Sequence, residues 1–218
     1  MLHIDRDCYG TIAVLWAITA GLLLLDLLLI PWKWLSIPLA VILVVFMYFV
    51  MWFHRVPVRK HVGDETTVTA VADGKIVIVD KTFEKEYLQQ ECIQVSIYMN
   101  FFNVHANFWP VTGKVSYYKY HDGRYLLAFQ PKSSELNEHS SIGIENQHGK
   151  VFYKQIAGTF ARRIVAHVTP GEPTRAGDQF GIIKFGSRID MFLPLDAEIM
   201  VKPGDLTTAC ETVIARLS

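Results

Sequence analysis

The sequence lacks an excess of charge of either sign, and this limits the partners it can bind. Among 218 residues, 21 Lys and Arg balance 21 Asp and Glu, and no basic stripe or aromatic-basic platform appears. Nucleic-acid binding therefore gains no support, because a basic face is the usual footprint of such proteins. The sequence also has no internal repeat of fixed period, no low-complexity segment and no long linker.

Cysteine is scarce as well. Cys8, Cys92 and Cys210 are scattered and odd in number, without a C-x-x-C motif or a zinc-type spacing. This pattern predicts no disulfide framework and no metal site. We therefore expect three reduced, mostly buried thiols.

Long apolar runs are present, but only in the first fifty-odd residues. Thr11–Ile30 carries one charge, Asp26, and Trp34–Phe53 carries none. Each run has about 20 residues, enough for a helix to cross the hydrocarbon core of a membrane. No small-residue cleavage site follows the first run, so we interpret the pair as a membrane anchor rather than a signal peptide. A pair of buried core helices is the alternative.

The link between the two runs is short, which predicts a tight helical hairpin with both ends on one side. Positive charge follows the second run at His54, Arg55, Arg59 and Lys60. Since Lys and Arg mark the cytoplasmic side, we expect residues 54–218 to face the cytoplasm. Pro38 and Asp26 are unfavourable in lipid, so a shallow or re-entrant hairpin remains open.

From Val56 onward, short apolar runs alternate with turn residues. Several runs alternate polar and apolar residues, which is typical of half-buried strands. The predicted fold is mostly β (α+β): a compact sandwich or barrel-like domain at residues 56–218, preceded by the helical hairpin at residues 1–55. Helical periodicity is weak and confined to Phe83–Gln90, Pro131–Glu138 and Asp205–Arg216. The candidate strands are Thr66–Ala70, Lys75–Val79, Ile93–Met99, Gly113–Tyr120, Arg124–Phe129, Ser141–Glu145, Val151–Ala157, Ile164–Val168, Gln179–Phe185, Arg188–Leu193 and Glu198–Lys202.

Three positions carry side chains or peptide groups that can do chemistry. Gly186-Ser187 lies between two strand-like runs, where glycine tolerates close approach and the serine hydroxyl can attack the preceding carbonyl. Asp73 precedes a glycine in a candidate turn, and His105 lies among aromatic and apolar neighbours. Each has an ordinary explanation, as a turn or as a structural histidine. Together, an acid, a histidine and a serine suggest a base that a carboxylate orients toward a hydroxyl.

Seven motifs extend this pattern across most of the chain. They occur in the expected order for the short bacterial and archaeal type of phosphatidylserine decarboxylase, which the sequence resembles from about Trp52 to Lys202. The most specific is Phe185–Pro194, because that family cuts itself within the Gly-Ser pair. The others are Trp52–Pro57, Ala72–Lys75, Phe102–Asn107, Ser134–Glu138, Gln155–Gly158 and Ala161–Val165.

The resemblance implies an autoproteolytic zymogen. Ser187 Oγ would attack the Gly186 carbonyl with His105 as base and Asp73 as its orienter, and elimination would separate residues 1–186 from 187–218. Ser187 would become a pyruvoyl group, the only cofactor implied. Phosphatidylserine would then form a Schiff base with that group and lose carbon dioxide to give phosphatidylethanolamine, with His105 returning the proton.

The resemblance also implies partners. These are the phospholipid, the bacterial or archaeal cell membrane, and the two fragments held as a heterodimer; homo-oligomerisation is left open. Lys184 and Arg188 flank the cut and are candidates to hold the lipid phosphate or carboxylate. As exposed charges at a strand edge they could equally have no role. The chain departs from the family at Val56, at Phe102, where longer relatives have a second histidine, and at His167.

Three other functions remain open. The turn pattern of Val168–Phe180 is similar to biotinyl and lipoyl domains, which would make the chain a non-enzymatic, membrane-tethered binding module, although Lys184 lacks their usual context. A serine hydrolase would use the same three residues but lacks the G-x-S-x-G elbow. A paralogous decarboxylase acting on another amino-acid head group would share every motif.

Overall fold

Two compact units make up the chain, Met1–Pro57 and Val58–Ser218. The computed structural model describes residues 3–124, 136–158, 163–184 and 187–218, without the side chain of Lys184. Most of the candidate strand Arg124–Phe129 and of the candidate helix Pro131–Glu138 therefore lies outside the described residues, as do Phe185 and Gly186.

The first unit is a hairpin of two apolar helices, as predicted. Helix α1 spans Tyr9–Leu29 and helix α2 spans Lys33–Phe53. Both are long and apolar enough to cross a membrane, judged by length and composition. The backbone holds the two ends of the hairpin together, because Asp5 N–H donates to His54 O at 3.2 Å and Val56 N–H donates to His3 O at 2.8 Å.

A hydrogen bond between the helices accounts for the acid in the first apolar run. Asp26 is buried at 3% exposure. Its Oδ2 accepts a hydrogen bond from Ser36 Oγ at 2.8 Å. A polar group away from water needs such a partner, so Asp26 ties α1 to the first turns of α2. Pro38 lies near the start of α2, where its missing N–H removes one helical hydrogen bond.

The described residues of the second unit form fourteen strands, in agreement with the predicted β class. They are β1 Thr67–Thr69, β2 Gly74–Glu84, β3 Gln90–Met99, β4 Ala106–Phe108, β5 Gly113–His121, β6 His139–Asn146, β7 Gly149–Ala157, β8 Arg163–Ala166, β9 Pro173–Thr174, β10 Gln179–Lys184, β11 Ser187–Leu193, β12 Glu198–Ile199, β13 Leu206–Thr207 and β14 Val213–Arg216.

These strands form three sheets in the described part of the chain. The largest is curled and has eight antiparallel strands in the order β13-β2-β3-β11-β7-β6-β5-β9. The other two have three strands each, in the orders β1-β14-β12 and β4-β10-β8. Strand β11 lies inside the large sheet, with β3 on one side and β7 on the other.

The large sheet has two different faces, because successive side chains of a strand point to opposite sides. Ile189, Met191 and Leu193 of β11 point into the main hydrophobic core, and we call this side the core face. Arg188 and Phe192 point the other way and line a cavity, so we call that side the cavity face. Ser187 has the parity of Ile189 and therefore belongs to the core face.

Two of the predicted helices are wrong. In Asp205–Arg216 the structure has strands β13 and β14, joined by a turn in which Cys210 has a φ of 67°. A left-handed residue at that point is incompatible with a continuous right-handed helix. Phe83–Gln90 is instead the end of β2, a turn and the first residue of β3. In both segments the spacing of apolar residues came from turns and buried strand positions, not from a helical face.

Candidate active site

Ser187 is the first residue of β11 and is fixed on two sides. It pairs with Met99 of β3 and with Ala157 of β7. The residue is fully buried, and its Oγ lies 3.7 Å from Met99 Sδ. Because a thioether is only a weak acceptor, this contact holds the hydroxyl of Ser187 only weakly.

The chain changes sheets immediately before Ser187. Strand β10 ends at Lys184 in the three-stranded sheet β4-β10-β8, and β11 begins at Ser187 in the large sheet. Only two residues, 185 and 186, separate these strands in the sequence. Gly186 itself, and the predicted tight turn there, lie outside the described residues.

His105 lies directly before β4 and beside the end of β10. Its carbonyl accepts a hydrogen bond from Ile183 N–H at 3.1 Å, three residues before Gly186 in the sequence. The side chain is fully buried, and Nδ1 lies 3.0 Å from Asn103 O. Because a carbonyl only accepts, Nδ1 carries the proton, and Nε2 is the nitrogen that can act as a base in neutral His105.

Asp73 lies at the same end of the large sheet as Ser187. It precedes β2, where Lys75 pairs with Tyr98, and Tyr98 in turn pairs with Arg188. The start of β2, the end of β3 and the start of β11 thus meet at one edge. Gly74 is required there, since a Cβ on it would lie 2.4 Å from Tyr98 O.

The carboxylate of Asp73 is held by Arg59 and by the backbone of Ala209. Arg59 donates through both terminal nitrogens, with Nη2 at 2.8 Å from Oδ2. Ala209 N–H donates to Oδ1 at 2.9 Å. Burial alone would lower the pKa of Arg59, but the hydrogen bond and charge of Asp73 outweigh it and raise that pKa. The orientation of His105 by Asp73 stays a prediction, and the contact of His105 described above is the one with Asn103.

Arg188 is not the exposed charge at a strand edge that the sequence predicted. It is 1% exposed, because β3 and β7 flank β11 on both sides. Its Nε donates to Asp190 Oδ1 at 2.5 Å, and its Nη2 donates to Ser96 Oγ at 3.1 Å. The guanidinium lies on the cavity face, on the opposite side of the strand from Ser187. The side chain of Lys184 lies outside the described residues.

A buried polar chain on the core face was not identified from the sequence. Ser140 Oγ donates to Gln155 Oε1 at 2.6 Å, and Gln155 Nε2 donates to Asn107 Oδ1 at 2.7 Å. All three residues are fully buried. Gln155 pairs with Ile189, two residues from Ser187, so this chain connects the β4 region to the strand that carries the serine. Asn107 and Gln155 both belong to motifs of the resemblance, which was the only available signal.

A second set of motif residues supports the strand beside Ser187. Asn137 Nδ2 donates to Ala157 O at 2.7 Å, and Ala157 N–H donates to Glu138 O at 2.9 Å. Ala157 is the residue that pairs with Ser187. Segments far apart in the sequence therefore converge on the start of β11.

Comparisons with known proteins agree with this convergence of motifs. The family model for phosphatidylserine decarboxylase matches residues 46–215. A protein of Prosthecochloris aestuarii named phosphatidylserine decarboxylase proenzyme is 44% identical over 182 residues, covering 84% of this chain and 83% of that protein. Proteins of the same name from Bacteroides fragilis and Parabacteroides distasonis are 47% and 45% identical, over 76% of this chain in each case and over 73% and 76% of their own lengths. The chain thus belongs to the phosphatidylserine decarboxylase family.

Proposed function

We propose that this chain cuts itself between Gly186 and Ser187 and then decarboxylates phosphatidylserine to phosphatidylethanolamine. The observation that carries the proposal is the position of Ser187. It is a buried hydroxyl at the first residue of a central strand, directly after the link between two sheets, in a chain of this family. The word proenzyme in the names of the relatives agrees with a processed product.

In the proposed cut, Ser187 Oγ attacks the carbonyl of Gly186 and the peptide bond becomes an ester. Serine is a weak nucleophile at neutral pH and needs a base to accept its proton. Nε2 of His105 is suited to that role, because Nδ1 carries the proton and donates it to the carbonyl of Asn103. Elimination then leaves a carboxylate on Gly186, and hydrolysis with loss of ammonia converts Ser187 to a pyruvoyl group.

For Asp73 the contacts support a positioning role. Its carboxylate joins Arg59 to the backbone of Ala209, so it fixes the start of β2 at the edge where β11 also begins. If so, Arg59→Met should slow the cut about as much as Asp73→Asn does. A direct action on His105 instead predicts that Asp73→Asn slows the cut and shifts its pH profile, while Arg59→Met leaves both unchanged.

During turnover, the pyruvoyl group would supply a ketone for the amino group of the serine head and an electron sink for decarboxylation. His105 would return a proton to the carbon that loses carbon dioxide, a task that suits an imidazole. The buried, weakly bonded environment of Ser187 fits such a group, because it excludes water from the reacting carbon. Lys184 remains a candidate to hold the lipid head, whereas the burial of Arg188 and its position across the strand from Ser187 do not favour that role.

The helical hairpin supports a substrate that is a lipid. Two apolar helices would anchor the chain in a bacterial or archaeal membrane, and Arg55, Arg59 and Lys60 favour the cytoplasmic side for the remainder. Tethering raises the effective concentration of a phospholipid head at the membrane surface.

The first test is the intact mass of the purified chain, combined with a denaturing gel. We expect two pieces that divide before Ser187, the smaller one blocked at its N-terminus, and a single uncut chain for Ser187→Ala. Carbon dioxide release from phosphatidylserine vesicles then tests the substrate, with vesicles of other amino-acid phospholipids as the comparison. A wild-type chain that stays whole would refute the proposed cut. Release from only another lipid would favour the paralogous decarboxylase.

A further inference from the structure

The cavity face of the large sheet carries a group of titratable side chains that the proposed reaction does not use. The cavity there has a volume of about 690 Å³. Glu86, from the turn between β2 and β3, lies at this cavity with His121 and His139, which come from the end of β5 and the start of β6. These residues are far apart in sequence, and only the pairing of β5 with β6 brings the two histidines opposite each other.

The three side chains present one ligand atom each within 4.8 Å of one another. Glu86 Oε1 lies 2.6 Å from His121 Nε2. The two imidazole rings stack with centroids 4.3 Å apart and planes inclined by 13°. Two histidines and one carboxylate are a donor set that suits divalent transition metals, zinc among them.

Outer contacts fix the orientation of two of these side chains. His139 Nδ1 lies 2.7 Å from Asn137 O, so Nδ1 carries the proton and Nε2 is left as the donor to a metal. Ser141 Oγ lies 2.9 Å from Glu86 Oε2, and Lys154 Nζ lies 2.8 Å from the same oxygen. These contacts hold Oε2, while Oε1 lies on the side of the histidines and also accepts a longer hydrogen bond from the Tyr117 hydroxyl at 3.2 Å.

From this geometry we propose that Glu86, His121 and His139 bind a divalent transition-metal ion through Oε1 and the two Nε2 atoms. The ion takes the place of the proton that His121 shares with Glu86, and the stacked rings tilt so that their lone pairs converge on it. Three protein ligands leave a coordination position open toward the cavity for water or an anion. The ion would also fasten the turn between β2 and β3 to strands β5 and β6.

Zinc binding to the detergent-solubilised full chain, stripped with a chelator and then dialysed, tests the proposal. We expect one zinc per chain, and a loss of affinity of about tenfold or more for His121→Ala and for Glu86→Gln. His148→Ala is the matched control, because His148 is a half-buried histidine in the turn between β6 and β7, at the other end of β6 from His139. Its affinity should equal that of the unaltered chain.

A second variant distinguishes the loss of a metal ligand from misfolding of the chain. His121→Gln keeps a donor toward Glu86 but removes the imidazole, and its thermal midpoint without metal is compared with that of the unaltered chain. Cobalt supplies a spectroscopic check, since loss of an imidazole ligand changes its visible absorption. No stoichiometric zinc in the unaltered chain, or unchanged affinity in both His121 variants, would overturn the proposal. Self-cleavage, followed on a gel, reports separately on the proposed function.

Discussion

The core face and the cavity face of the large sheet are built by the same strands but have opposite chemistry. On β11, Ser187 and Ile189 face an apolar interior, whereas Arg188 and Asp190 form a buried ion pair on the other side. A shift of one residue along the strand would exchange the two sets. The pairing of β11 with both β3 and β7 therefore decides which face receives the serine.

The largest effect is expected at His105, the proposed base for Ser187 of the core face. We expect His105→Ala to slow the proposed self-cleavage by about 10²–10⁴-fold, because general base catalysis contributes a factor of this size. The rate is measured as the loss of full-length chain on a denaturing gel. His167→Ala is the control, since His167 is exposed at the end of β8. Equal cleavage rates for both variants would remove His105 from the maturation step.

On the cavity face, the ion pair of β11 should matter for stability. Arg188→Met leaves Asp190 buried without its partner, and removing one member of such a pair costs about 3–5 kcal/mol. We expect a large drop in the thermal midpoint, and partial recovery in the double variant Arg188→Met with Asp190→Asn. A double variant no more stable than the single one would show that the pair is not the source of the loss.

A smaller effect is expected from the polar chain of the core face. Gln155→Leu removes the link between Ser140 and Asn107 and leaves both buried groups with an unmet hydrogen bond. Each such group costs about 1–3 kcal/mol. Denaturant midpoints would measure this, with Gln94→Leu on the cavity face as the comparison. If Gln94→Leu lowered the midpoint more than Gln155→Leu, the polar chain of the core face would not be the more stabilising of the two sets of hydrogen bonds.

The smallest effect is expected at Cys92, which lies on the cavity face but beneath Phe152 and Phe192. Burial raises the pKa of Cys92 to about 11. Only about one thiol in a thousand is then ionised at pH 8, and the thiolate is the reactive form. Iodoacetamide should label it only after unfolding. Rapid labelling of the native chain would mean that this part of the cavity face is open to solvent.

Local features were predictable because they depend on neighbours in the sequence. The length of the apolar runs predicted the helical hairpin, and the alternation in Ile93–Met99 predicted β3. The three cysteines are buried, as expected. Arg188 was misjudged because its burial depends on Tyr98 and Ile156, two distant residues that pair with it from the flanking strands.

The same limit applies to the site. Arg59 was interpreted only as a charge that orients the hairpin, yet it binds Asp73 through a pairing that no local pattern reveals. The group of Glu86, His121 and His139 has no recognisable spacing, since the fold alone brings a turn and two strand ends together. Contacts between distant segments are where sequence reasoning fails in this chain.

The central position of β11 affects whether the molecule can refold after the proposed cut. Residues 187–218 supply β11 between β3 and β7, β14 beside β1, and β13 beside β2. Under the proposed cut, these strands become a separate chain, and apart from the pairing of β12 with β14 their partners lie on the other fragment. Folding before the cut is intramolecular, whereas refolding after it requires two chains to meet and depends on their concentration. Mature protein that unfolds should thus seldom recover, and its lifetime would be governed by the rate of unfolding rather than by an equilibrium.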